Sequence, residues 1–190
     1  MKKAMLFMVL LAVVLQGCGA MLVGGAATGA AVIHDRRSAG AVLDDKNLQF
    51  KIHAAVSSDA ELSKHTNLSV TSYNYAVLLT GQAENSDYRE RLVEVARNTP
   101  LVKRVIDQIE IGASSSLSQE AHDAYLTAKV KLELLNISLP SFDPTRVKVV
   151  TELNVVYLMG LVTQEEAAAV VEKARYIKGV ERVVKIFEYI

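Results

Sequence analysis

Val77-Leu78-Leu79-Thr80-Gly81 and Val156-Tyr157-Leu158-Met159-Gly160 are two versions of one phrase. Each is an aliphatic, β-prone run closed by glycine and followed by a polar helix start. The likeness continues downstream. Val95-Ala96-Arg97 answers Lys173-Ala174-Arg175, and Val102-Lys103-Arg104-Val105 answers Val180-Glu181-Arg182-Val183, always about 78 to 79 residues on. Self-similarity at a fixed period marks a duplicated structural unit, so the chain reads as two copies of one small unit.

The periods inside each copy give its order of elements. In the first copy Leu48, Ile52, Ala55 and Val56 recur at helical spacing behind Asp44 or Asp45 as a cap. Leu68 to Thr71 and Tyr75 to Thr80 form a hairpin around an Asn-containing turn, with Gly81 ending the second strand. Ser86 or Asp87 caps a helix that buries Tyr88, Leu92, Val95 and Ala96; Pro100 stops it, and Val102 to Ile111 is the last strand. In the second copy Ser118 caps a helix reaching about Leu135, and Arg146 to Thr151 pairs with Val155 to Met159. Thr163 and Glu166 make a capping box. It opens a helix burying Ala167, Val170, Val171, Ala174 and Ile177; Gly179 ends it before the final strand, Val180 to Ile190. Gly81 and Gly160 are expected at turns, with φ > 0. Units of roughly 65 residues sit near the lower limit for a self-sufficient core, so packing of the copies on each other would help both.

This αββαβ order, twice over, resembles the BON domain. The residues carrying the resemblance are Leu79-Thr80-Gly81 and Leu158-Met159-Gly160, then Ala96 or Ala174 in the following helix, then Val102 and Val105 or Val180 and Val183. Many members have Gly-Val before the last strand; Gly179-Val180 matches and Leu101-Val102 departs. The resemblance implies an α+β protein of two tandem domains, 44–112 and 119–190, joined by a Ser-rich linker at 113–118. Each domain is then a three-stranded mixed sheet with two helices on one face.

Ahead of the repeat, Met1-Lys2-Lys3 precedes an apolar run from Met5 to Leu15, too short to span a bilayer, and Leu15-Gln16-Gly17-Cys18 follows. This layout resembles a bacterial lipoprotein signal peptide over residues 1–17, cleaved before Cys18. The resemblance implies acylation of Cys18, palmitate included, and several buried acyl chains make an effectively permanent anchor. Gly19 next to the cysteine implies export to the outer membrane, periplasmic side. The competing reading, an uncleaved membrane helix from Ala4 to Ile33, is opposed by Gly24, Gly25 and Gly29. Residues 18–43 read as a lipidated N-terminus and flexible leader, with Arg36 and Arg37 in a solvated turn.

Composition narrows the function classes. Removing Lys2 and Lys3 from 21 basic residues leaves 19 against 21 acidic ones, which gives no bulk charge for nucleic acid. Cys18 is the sole cysteine, so no intrachain disulfide forms. The histidines at 34, 53, 65 and 122 stand singly, away from metal-ligand spacing, and no serine lies in a Gly-x-Ser-x-Gly elbow. The expectation is no catalytic residue, no metal and no cofactor.

One stretch exceeds what a core requires. Between Ala121 and Leu135, Leu126, Val130 and Leu134 form one apolar stripe, while Tyr125, Ala128, Leu132 and Leu135 form another on nearly the opposite side. Lys129 and Lys131 flank the second stripe, where amines would meet lipid phosphates. The corresponding helix of the first copy offers only Phe50 and Ala54 on its far side. Two destinations remain open for the second stripe: a membrane surface, or the first copy. The resemblance to dual-BON lipoproteins of Gram-negative outer membranes favours anionic phospholipid and a part in envelope integrity. The rival is a non-catalytic scaffold that recruits an envelope protein through the same stripe or through exposed strand edges.

Overall fold

The computed structural model describes residues 35–190; the expected signal peptide, Cys18 and the expected leader as far as His34 lie outside the described residues. The first domain contains α1 (Ala39–Ser58), a short α2 (Ala60–His65), β1 (Thr66–Tyr73), β2 (Ala76–Ala83), α3 (Ser86–Arg97) and β3 (Arg104–Ile111). The second contains α4 (Leu117–Leu134), one 3₁₀ turn (Pro144–Arg146), β4 (Val147–Glu152), β5 (Val155–Val162), α5 (Gln164–Arg175) and β6 (Arg182–Tyr189). In both sheets the central strand pairs antiparallel with the strand before it and parallel with the strand after the helix, in the orders β1-β2-β3 and β4-β5-β6. The expected mixed three-stranded sheets are therefore present in tandem.

Several boundaries move, each for a local reason. The α1 helix begins at Ala39, because Ser38 accepts from the Ala41 N–H at 3.1 Å and caps it; residues 39–43 are thus helix and not leader. Likewise Ser116, not Ser118, caps α4, and Asn85 caps α3 ahead of Ser86 and Asp87. The Thr163–Glu166 capping box forms as expected, with Thr163 Oγ1 accepting from Glu166 N at 3.2 Å and Glu166 accepting from Thr163 N at 2.8 Å.

Gly81 and Gly160 are not turn residues: each stands two places short of the end of its strand. Gly81 does have φ 109°, and a Cβ there would lie 1.9 Å from the Asn67 carbonyl oxygen. Gly160 serves close approach instead, since its Cβ would lie 2.9 Å from the carbonyl oxygen of Arg146. The departure at Leu101 is also resolved. Leu101 takes φ 78° where Gly179 takes 104°, so the first copy keeps the left-handed turn and accepts the strain of a side chain in it.

The true turns are two-residue connections, Asn74-Tyr75 and Leu153-Asn154, with φ of 50° and 67° in the first and 48° and 64° in the second. Hairpins of this kind favour Asn-Gly, and tyrosine or leucine there is strained. An aspartate from the first helix of each domain compensates. Asp45 is 2% exposed and accepts from Asn74 N at 2.7 Å, Tyr75 N at 2.8 Å, Ser72 Oγ at 2.6 Å and Arg37 at 2.8 Å. Asp123 does the same in the second domain, accepting from Leu153 N and Asn154 N at 2.9 Å each. Asp45 is therefore a buried brace inside α1 and not its cap.

Each central strand is buried on both faces, which explains its unbroken apolar run. Val77 and Leu79 of β2 face the first domain's helices, and Val156 and Leu158 of β5 face those of the second. Their alternates form a third core in which the sheets meet back to back: Tyr73, Ala76 and Leu78 against Tyr157, Met159 and Ile186. Polar clasps surround it. Gln82 donates to Glu152 at 2.6 Å, and Asn74 donates to Glu188 at 2.6 Å. Arg36, expected in a solvated turn, instead forms a forked pair with Glu166 at 2.6 and 2.9 Å and donates to the Leu161 carbonyl. The hydrogen bond from Arg36 holds the Glu166 carboxyl below the ordinary carboxylate range.

Candidate functional site

The α4 helix is laid down by its inner stripe. Leu126 and Val130 are fully buried and Leu134 is 1% exposed, all in the second domain's own core. That register leaves the outer stripe facing solvent. Tyr125 is 56%, Leu132 61% and Leu135 66% exposed, and Ala128 is exposed between them. The interface between the domains is made by the sheets, so the first copy does not cover this stripe; the second of the two destinations is excluded.

Lys131 is exposed, and Lys129 lies with its Nζ 5.4 Å from the Tyr125 ring centroid, a cation–π distance. His122 stands on the other side of Tyr125, with the ring centroids 6.3 Å apart. Tyr125, Ala128 and Leu132 share the outer face of α4 with Leu135 at its C-cap, while Lys129 and Lys131 flank that face, the first toward the α5 groove and the second toward the cavity between the domains.

Spacing within α4 could not show what lies beside it. A groove of about 490 Å³ separates α4 from α5, lined by three lysines (Lys129, Lys173, Lys178), two glutamates (Glu133, Glu172) and Tyr176 with Ile177. Tyr176, 71% exposed at the C-terminal cap of α5, extends the apolar surface, and Arg175 donates to its hydroxyl at 2.7 Å. The only sequence signal for it was an aromatic residue at the end of a helix whose apolar face was already filled.

The first domain is less bare than the spacing predicts. Because α1 starts at Ala39, Leu43 joins it at 66% exposure, beside Phe50 at 73%. Both helices carry two lysines, Lys46 and Lys51 on α1 and Lys129 and Lys131 on α4, so the copies differ chiefly in Tyr125, which α1 lacks. Among the described residues no helix is long and apolar enough to cross a membrane, and no group of three His, Cys, Asp or Glu side chains could hold a metal ion.

The BON domain family model matches residues 44–113 and again 122–190. The chain is 36% identical over 176 residues to the outer membrane lipoprotein DolP of Haemophilus influenzae, covering 93% of this chain and 90% of that one. It is also 33% identical over 156 residues to a 21 kDa hemolysin of Actinobacillus pleuropneumoniae, covering 82% of this chain and 79% of the relative. Two matched domains, two mixed sheets with their helices on one face, and this span of identity make the chain a member of the BON domain family, a tandem protein like DolP.

Proposed function

We propose that the chain is a non-catalytic lipoprotein, acylated at Cys18, held on the periplasmic face of the outer membrane, and that its second domain binds anionic phospholipid through α4. The observation that carries the lipid reading is the outer stripe: Tyr125, Leu132 and Leu135 are all more than half exposed on one face, with Lys129 and Lys131 beside it. Tyrosine suits the headgroup level, with an apolar ring and a polar tip. Lysine stems lie along apolar surface while their amines reach phosphate. The outer-membrane placement is supported by the relative that is itself an outer membrane lipoprotein. A tethered domain meets its bilayer at high local concentration, so a weak headgroup contact suffices to dock it. The role served is support of outer-membrane integrity.

Vesicle sedimentation tests the lipid reading. The acyl-free chain from Gly19 onward should sediment with phosphatidylglycerol vesicles more than with zwitterionic ones, and added salt should weaken the difference. Adding Leu132→Glu should abolish that preference and leave the melting temperature unchanged, since the side chain is 61% exposed and outside every core. Equal sedimentation of this variant and its parent would remove the stripe from lipid binding and favour the scaffold reading. For the anchor, mass spectrometry of the membrane-bound wild type should find acyl chains on Cys18, and an unmodified thiol would overturn that assignment.

A further inference from the structure

Between the two domains, on the Lys131 side of α4, four cations line one cavity. The cavity, of about 260 Å³, is lined by Arg37 and Lys46 from the first domain's end of the chain and by Lys131 and Lys148 from the second. Asp45 is the only carboxylate in its wall, and its oxygens are already engaged by the hairpin turn, Ser72 and Arg37. Among the described residues no carboxylate lies within 4.0 Å of the Lys46, Lys131 or Lys148 amines.

Like charges that line one cavity repel one another, and an anion between them relieves that repulsion. The Lys148 amine registers the repulsion: partial burial, then the charges of Lys46, Lys131 and Arg37, push its pKa below the ordinary lysine value. Lysines that only solvate a surface spread outward. These converge from four separate segments, two on each side of a domain boundary. The cavity falls below the size of an ordinary small-molecule pocket and suits a compact anion.

We propose that this cleft is a phosphate-binding site, built across the domain boundary by Lys46, Lys131 and Lys148 with Arg37 behind them. The ligand is a phosphate group, either free in the periplasm or carried on a lipid headgroup. Because both domains supply cations, its binding ties them together. The site stands independently of the outer stripe, sharing with it only Lys131.

The test uses isotopically labelled full-length chain in uncharged sugar-detergent micelles, with backbone amides followed by NMR. Inorganic phosphate, at ionic strength matched with chloride, is one arm; phosphatidylglycerol doped into the micelles is the other. Saturable shifts at the amides of Lys46, Thr145 and Lys148 in the first arm identify a free-phosphate site, and the same shifts in the second arm alone identify a headgroup site. In either case Lys148→Gln and Lys46→Gln should each weaken binding by about tenfold, a loss of one charge-assisted contact. In the inorganic-phosphate arm Tyr125→Ser, a stripe change six residues from Lys131 that adds no charge, should leave the cleft shifts intact, so failure of the stripe reading is separable from failure of this one. No saturable shift in either arm, or shifts that survive both lysine substitutions, would overturn the proposal.

Discussion

Gly81→Val is expected to unfold the first domain, or to lower its stability by about 3 kcal/mol or more. Two costs coincide. The backbone at Gly81 has φ 109°, which a β-branched residue adopts only under strain of order 1–3 kcal/mol. The new Cβ would also stand 1.9 Å from the Asn67 carbonyl oxygen, a backbone atom of the paired strand that cannot swing aside as a side chain could. Prying β1 from β2 adds a cost like that of overpacking, about 1–3 kcal/mol. Gly160→Val should cost less, because φ there is not left-handed and the nearest backbone atom is 2.9 Å from the built Cβ. Thermal melts of both variants check the order. A Gly160 variant less stable than the Gly81 variant would show that neither the left-handed backbone nor the closer approach at Gly81 sets the cost.

The second large effect belongs to Asp45. Replacing it with alanine removes one carboxylate from four donors at once: two turn N–H groups, Ser72 Oγ and the Arg37 guanidinium. The N–H groups sit in a strained turn, and the largely buried Arg37 guanidinium loses its 2.8 Å contact with Asp45. Breaking a buried ion pair from one side costs about 3–5 kcal/mol, and orphaned donors add to the loss. Asp123→Ala should cost less, about 2–3 kcal/mol, since Asp123 braces its turn and Gln119 but no cation. Chemical denaturation at neutral pH measures both. The turn's share is isolated by Tyr75→Gly, which relieves the left-handed strain at 67° and should reduce the penalty of Asp45→Ala. A double variant showing simple additivity would mean that the aspartate does not hold the turn.

Arg36 and Glu166 show why a sequence reading stops where it does. Glu166 was legible as one half of a capping box because its other half, Thr163, is three residues away. Its pairing with Arg36 spans 130 residues and exists only because the sheets meet back to back. Asp45 and Asp123 were closer to legible. Each falls on the buried stripe of its helix, at helical spacing from Leu48 and Ile52 or from Leu126 and Val130, where a carboxylate must find donors. Their recurrence 78 residues apart was there to be read. The partners were not, because backbone N–H groups in a turn carry no sequence label.

The sequence by itself determined what depends on neighbours along the chain. The duplicated αββαβ unit, the hairpins, the capping box and the two opposed stripes of α4 follow from periods of two and 3.6 residues and from turn chemistry. Only the tertiary structure decided which faces are covered. Leu78 and Tyr157 could have met solvent, lipid or each other by their sequence alone, and so could Tyr125 and Leu132. The sheets meet each other and the outer stripe of α4 stays open. The physical reason is that apolar burial is non-directional: a sequence states how much surface must be hidden, whereas the partner that hides it is chosen by shape, by Tyr73 hydrogen bonding across to Arg146 and Leu161, and by clasps such as Gln82 to Glu152.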